Sequence, residues 1–355
     1  MTILFCPLNW GLGHATRCVP LLHYYASKGF KVIIAANGTA YRYFRSDFPE
    51  FELIYLRGFN LKYPNQGTLP LKWIFGMLPG FGFSILREHA ALKRIVNKHK
   101  IDVVISDNRY GAWNKKTHNV ILTHQLEIIS PVRNALANAF LLWTTRKLLS
   151  RFDQCWIPDY EGENNLSGFL SHVAKTPETT KFIGPLSRFS LPGEDLPFES
   201  YDLLFILSGP EPQRTLFENL ILRQVWNSNW KTLIVRGLPG NTDNKLPPSH
   251  ITMLAHLDTD HLRAAIRNSA LLVCRSGYSS VMDLITLQKK AVLVPTPGQT
   301  EQEYLAEKLH HEGVFYSQSQ NSFSIDDAMK YAIDFPLLDF PETMGLCYDM
   351  EFRRA

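Results

Sequence analysis

Short, uninterrupted apolar runs recur along the chain, separated by stretches in which apolar residues return at helical spacing. Residues 3–8, 31–36, 52–56, 102–106, 119–123 and 154–158 read as strands in the first half, and 203–207, 231–236, 251–254, 271–274 and 291–294 in the second. Runs of this length without polar alternation suit strands buried on both faces of a parallel sheet. Between them, Cys18, Leu21, Leu22 and Tyr25 keep one helical face, which Gly29 ends. Helices are likewise predicted over 41–48, 88–100, 133–152, from Gln213, over 262–269, and over 324–334 and 343–354. The turn Phe182-Ile183-Gly184-Pro185 closes the first half, and residues 190–200, with Pro192, Gly193 and Pro197, read as a linker. The pattern predicts a first domain over 1–188, a linker over 189–200, a second domain over 201–335 and a terminal helix over 336–355.

A chain of 355 residues is long enough for two such cores. Hydrophobic residues make up 45% and charged residues 20%, as in soluble globular proteins. No apolar run reaches the roughly 18 residues of a membrane span, and the N-terminus opens on a strand without the regions of a signal peptide. Five cysteines without close pair spacing argue for reduced thiols, no structural zinc and a cytoplasmic setting. The net charge of +4 hides an asymmetry, because residues 57–151 hold 15 Lys and Arg against four acids. Within that basic half, residues 57–83 are rich in Gly, Pro and aromatics and read either as a long irregular insertion or as a helical hairpin packed on the domain. A basic, aromatic surface of this kind suits a lipid-linked acceptor or peripheral contact with the inner face of a membrane. No recognition motif for nucleic acid accompanies the charge.

Candidate chemistry collects at strand ends. His14 follows strand 3–8 across the loop Asn9-Trp10-Gly11-Leu12-Gly13, and Asp107-Asn108 ends strand 102–106. His titrates near neutrality, and a carboxylate on one ring nitrogen fixes the tautomer and makes the other the base. A dinucleotide fingerprint would need a third glycine where Thr16 stands and an acid where the second strand ends in Ala36-Asn37. In the second half Ser208-Gly209 follows a strand, with Arg214 beyond. Cys274-Arg275-Ser276-Gly277 follows another and leads into a helix that Ser279 and Ser280 can cap, with Asp283 in its first turn. After 295–298, Gln299, Glu301, Gln302 and Glu303 crowd the start of a further helix. Two strand ends opening into helix N-termini describe a nucleotide crevice. No Asp-x-Asp motif stands at a strand end, so no obligatory metal is expected.

The order Ser276-Gly277, an acid six residues on, and a Pro-rich loop ending in Gln302-Glu303-Tyr304 resembles the donor site of glycosyltransferase family 28, including its MurG-type N-acetylglucosaminyl transferases. The glycine-rich first loop with His14-Ala15-Thr16-Arg17 is similar to that of a less studied branch. The resemblance implies the GT-B fold, an α/β arrangement of two doubly wound, Rossmann-like parallel-sheet domains facing across a cleft. It implies an inverting transfer of a sugar, with N-acetylglucosamine a candidate, from a UDP-sugar to an acceptor hydroxyl, lipid-linked or of a cell-envelope glycan. His14 would be the base, supported by Asp107, and Gly11, Gly13, Asn108, His124 and Gln125 would lie on the acceptor side. Ser208, Gly209 and Arg214 would face the donor diphosphate. His256 and Leu257 would hold uracil, Asp283 the ribose, and Gln299, Gln302 and Glu303 the sugar. Ser276, Gly277, Ser279 and Ser280 complete the donor set. Where the family has a Gln-Gln pair this chain has Gln302-Glu303, which bears on the sugar. Two alternatives share these features: a UDP-N-acetylglucosamine 2-epimerase of the same fold, and a non-catalytic subunit that binds a sugar nucleotide or recruits to membrane.

Overall fold

A computed structural model describes residues 1–58, 71–127, 135–173, 176–238 and 247–335. The chain divides into two compact units, with the boundary between Ser187 and Arg188.

The first unit holds β1 (Thr2–Pro7), α1 (Gly13–Ser27), β2 (Lys31–Ala36), α2 (Gly38–Asp47), β3 (Glu52–Tyr55), α3 (Leu71–His99), β4 (Val103–Asp107), β5 (His118–Leu122), α4 (Ala135–Leu149), β6 (Gln154–Ile157) and β7 (Thr180–Phe182). Its strands form one sheet in the order β3-β2-β1-β4-β5-β6-β7, and every neighbouring pair is parallel. The apolar runs become strands because both faces are covered: Ile3, Leu4, Phe5, Ile33, Ile34, Val103 and Val104 are fully buried.

The second unit repeats the plan with β8 (Tyr201–Ile206), α5 (Gln213–Val225), β9 (Thr232–Val235), β10 (Ile251–Leu254), α6 (Thr259–Arg267), β11 (Ser269–Cys274), α7 (Tyr278–Thr286), β12 (Ala291–Leu293), α8 (Thr300–His311), β13 (Tyr316–Ser317) and α9 (Ile325–Tyr331). Its sheet runs β10-β9-β8-β11-β12-β13, again parallel throughout. Leu203, Phe205, Phe217, Ile221, Ile234, Val273 and Val292 make its main core. The start of the linker segment is tied to this unit, since the Arg263 guanidinium donates to the carbonyls of Phe189 and Leu191 at 2.9 Å each.

In each sheet the strand order reverses beside the first strand, between β1 and β4 and between β8 and β11. Loops leaving the carboxyl ends of such a pair diverge to opposite faces and leave a crevice for ligand.

The structure corrects some local expectations. Of the two readings of residues 57–83, the helical one holds from Leu71, where α3 starts, though as one long helix and not a hairpin within 71–83; residues 59–70 lie outside the described residues, as do those of the expected terminal helix at 336–355. The short edge strands β7 and β13 were not anticipated. Among the described residues no helix is long and apolar enough to cross a membrane.

Candidate active site

In the first unit, the β1 register sets Pro7 beside Asp107 of β4, so the loop to α1 and the end of β4 share the switch point. His14, in the first turn of α1, places Nδ1 at 3.1 Å from Asp107 Oδ1. The carboxylate can only accept, so Nδ1 carries a proton and Nε2 is the ring nitrogen left to act as a base. His14 is partly exposed and Asp107 is buried.

Sequence reading did not assign Arg17, although it completes the constellation. Its side chain is buried one helical turn beyond His14, its Nε donates to Asp107 Oδ2 at 2.8 Å, and its Nη2 donates to Oδ1. The Cys18 thiol lies 3.8 Å from Oδ2. Burial pushes the Asp107 carboxyl up, but the charges of Arg17 and His14 outweigh it and hold the pKa at about 2. A depressed carboxyl contributes stability that is present above its unfolded pKa and lost as pH falls towards the folded one. The stability difference between the protein and Asp107→Asn is therefore expected to be constant above about pH 5 and to shrink between about pH 4 and 2. Acid unfolding followed by tryptophan fluorescence measures it.

His124, after β5, is buried, and Arg17 Nη1 donates to its Nδ1 at 3.1 Å. A guanidinium cannot accept, so His124 holds its proton on Nε2. Asn108 adopts a left-handed conformation (φ 53°), and its buried Oδ1 has no hydrogen-bond partner. Gln125 is half-buried, with its N–H on Thr123 Oγ1. Gly11 takes φ 88° with open space where a side chain would stand, and Gly13 begins α1.

In the second unit, β8 and β11 pair Ile206 with Cys274, which brings the loops Ser208-Gly209 and Arg275-Ser276-Gly277 to the same switch point. Gly209 adopts φ 100°, a conformation that favours glycine, and a Cβ there would meet Thr296 Oγ1 at 3.6 Å. Gln302 lies at the convergence of three loops. Its Oε1 accepts from the Thr296 N–H at 2.9 Å, which leaves its NH₂ near Gly277, where a Cβ would find Gln302 Nε2 at 3.8 Å and Ser280 Oγ at 4.0 Å. The amide thus turns donors, together with a serine hydroxyl, over the turn that begins α7.

Several expected roles change. Gly277, in extended conformation, caps α7, and neither Ser279 nor Ser280 does so; Asp283 falls in the second turn. The Ser276 hydroxyl points inward to the Gln302 carbonyl at 2.8 Å, so it holds the loops together. Arg214 is buried with all three guanidinium nitrogens engaged, Nε on Glu211, Nη1 on Glu218 and Nη2 on Thr215, which turns it away from a diphosphate. The Asp283 carboxylate is 16% exposed and stands 3.9 Å from Arg188 Nε. Glu303 is exposed, and its Oε1 accepts from the Gly298 N–H at 2.8 Å, fixing the Pro-Gly turn. Gln299 occupies the cap position of α8, with a buried, unpartnered Oε1. His256 and Leu257 are half-buried after β10, beside Asp258, which caps α6 by accepting from the His261 N–H.

Arg275 is a second residue that sequence reading passed over. It is 1% exposed, donates to the carbonyls of Val294, Pro295 and Gln213 and to Gln320 Oε1, and lies over the Phe217 ring at 4.3 Å. It locks the ends of β11 and β12 to the start of α5 from behind.

Residues 241–331 match the model of the glycosyltransferase family 28 C-terminal domain, and residues 1–141 match that of glycosyl transferase family 1. Similar solved structures include the spinosyn rhamnosyltransferase SpnG (TM-score 0.60, 15% identity, covering 94% of this chain and 92% of that one). Acinetobacter baumannii MurG is similar at TM-score 0.53 and 13% identity, over 95% and 90%. The glycosyltransferase SsfS6 of Streptomyces sp. SF2575, solved with thymidine diphosphate, is similar at TM-score 0.56 and 14% identity, over 89% and 87%. No curated protein sequence matches the chain. The two Rossmann-like domains are those of the GT-B class. The chain is a glycosyltransferase with the GT-B fold, and its match to the family 28 model lies within the second domain.

Proposed function

We propose that the protein transfers a sugar from a UDP-sugar to an acceptor hydroxyl with inversion at C1. The observation that carries this reading is the His14–Asp107 pair at the switch point of the first sheet, matched by a polar, glycine-lined switch point in the second. Acceptor oxygen attacks C1, His14 Nε2 takes its proton, and the diphosphate departs. Backbone N–H groups at Ser208-Gly209 and the N-terminus of α7 favour the developing charge. Gln302 and Ser280 supply donors to the sugar nucleotide, Asp283 the acceptor for the ribose hydroxyls, and the 255–257 backbone the uracil contacts. Asn108 and His124, with Gln125, Gly11 and Gly13, form the acceptor side. A nucleoside diphosphate in SsfS6 supports a diphosphate-bearing donor in this fold.

The acceptor is proposed to be lipid-linked or a cell-envelope glycan. Phe83 and Leu86 on α3 and Trp143 on α4 are 67%, 68% and 57% exposed, among Arg87, Arg146 and Lys147. Such residues suit peripheral contact with an anionic membrane surface.

Asp283→Ala removes a charged hydrogen-bond acceptor and is expected to weaken UDP binding about 10- to 100-fold. Calorimetric titration reads this directly. Unchanged affinity would remove Asp283 from the ribose site.

A further inference from the structure

The Ala-Thr-Arg stretch after His14 carries more than a helix start. Arg17 and His14 lie on one face of α1, three residues apart, and both bond the same oxygen, Asp107 Oδ1. We propose that Arg17 is a positioning residue that offsets the charge of Asp107, so that the carboxylate orients His14 without fixing a proton on it.

An Asp–His pair alone in a protein interior favours the imidazolium, because a nearby full negative charge attracts the second proton. A base that is already protonated cannot act. Here the guanidinium takes both carboxylate oxygens in a fork, and one of its N–H groups shares Oδ1 with the imidazole, so its positive charge also lies close to the ring. The Nδ1–H bond to Oδ1 survives, which keeps the ring orientation and tautomer. Among the described residues, the other titratable neighbours add no charge that would do the same. His124 receives an Arg17 N–H on Nδ1, the Cys18 thiol is pushed well above its ordinary value by burial and then by Asp107, Cys6 is pushed up to about 12 by burial, and burial pushes Tyr110 up. Among the described residues, Asp107 and Arg17 are the charges that meet at the His14 ring from β4 and α1.

This inference rests on the reading of His14 as the base, and its test reads charge and needs no acceptor. Protein labelled with ¹⁵N-histidine is titrated by NMR, and the His14 ring is identified as the signal missing from His14→Ala. In Arg17→Gln the His14 midpoint is expected to rise by about one to two pH units, a ten- to hundredfold gain in proton affinity. Arg17→Lys, which keeps the charge, is expected to stay within about half a unit of the wild type. A midpoint in Arg17→Gln equal to or below that of the wild type would overturn the proposal. If that variant does not fold, two measurements decide. A wild-type Asp107 carboxyl carbon that titrates in the ordinary carboxylate range, or an Arg17→Lys midpoint raised by a full unit, would overturn it; a carboxyl ionised to below about pH 3 with an unmoved Arg17→Lys midpoint would uphold it. A His14→Ala protein that still transfers sugar would defeat the reading of His14 as base, whatever the titration shows.

Discussion

His14→Ala is expected to lower sugar transfer by about 10²- to 10⁴-fold, the usual contribution of a positioned base, and to leave UDP affinity unchanged. Nδ1 is occupied by Asp107, so Nε2 is the ring atom left to receive the acceptor proton. The candidate donor residues belong to the other compact unit. Turnover with a saturating UDP-sugar, set beside calorimetric UDP binding, separates the two functions. A variant that loses both would show that His14 supports the protein in some other way. One that retains turnover would move the base elsewhere.

Glu218→Ala carries the largest expected cost in stability, about 3–5 kcal/mol, because it leaves buried cations without their partner. Glu218 on α5 is wholly buried. Its Oε2 accepts from Arg214 Nη1 at 2.7 Å and from Arg236 Nε at 3.0 Å, and its Oε1 accepts from Arg236 Nη2 at 3.3 Å. Arg236 stands where β9 ends, and Arg214 reaches back to Glu211. The carboxylate therefore fixes the loop after β8 against the neighbouring strand end, in the region proposed to meet the diphosphate. The melting transition of the second unit should fall by roughly 10 °C in scanning calorimetry. Glu218→Gln, which keeps shape and loses charge, should fall between the two. A loss below about 1 kcal/mol would mean that water or rearranged partners replace the carboxylate.

Much of this site could be read from residue order because parallel sheets force it. Uninterrupted apolar runs located the strands, and polar residues placed straight after 3–8, 102–106, 203–207 and 271–274 had to lie at their carboxyl ends. That the ends meet pairwise at reversals of strand order depends on the βαβ topology, which recurring strand and helix patterns also suggested.

What escaped was side-chain direction. Arg17 sits in a helix start where a cation is usually solvated; its only sequence signal was its spacing from His14 on a face shared with buried Cys18 and Leu21. Arg214 looked like a free charge near a glycine loop, yet Glu211 and Glu218 three and four residues away were positioned to capture it. Ser279 and Ser280 obeyed the capping preference, but Gly277, at φ −68° and ψ 141°, already has the extended backbone of a cap. In α3, Gly76, Pro79, Gly80 and Gly82 carry strong breaker signals that the helix overrides.

The central claim is that the second domain binds a uridine sugar nucleotide. Calorimetric titration of the full chain with UDP, UDP-N-acetylglucosamine, dTDP, GDP and NAD, without added metal, tests it most directly. The account predicts binding of the uridine compounds in preference to GDP and NAD. Binding of GDP or NAD with no response to UDP would contradict it.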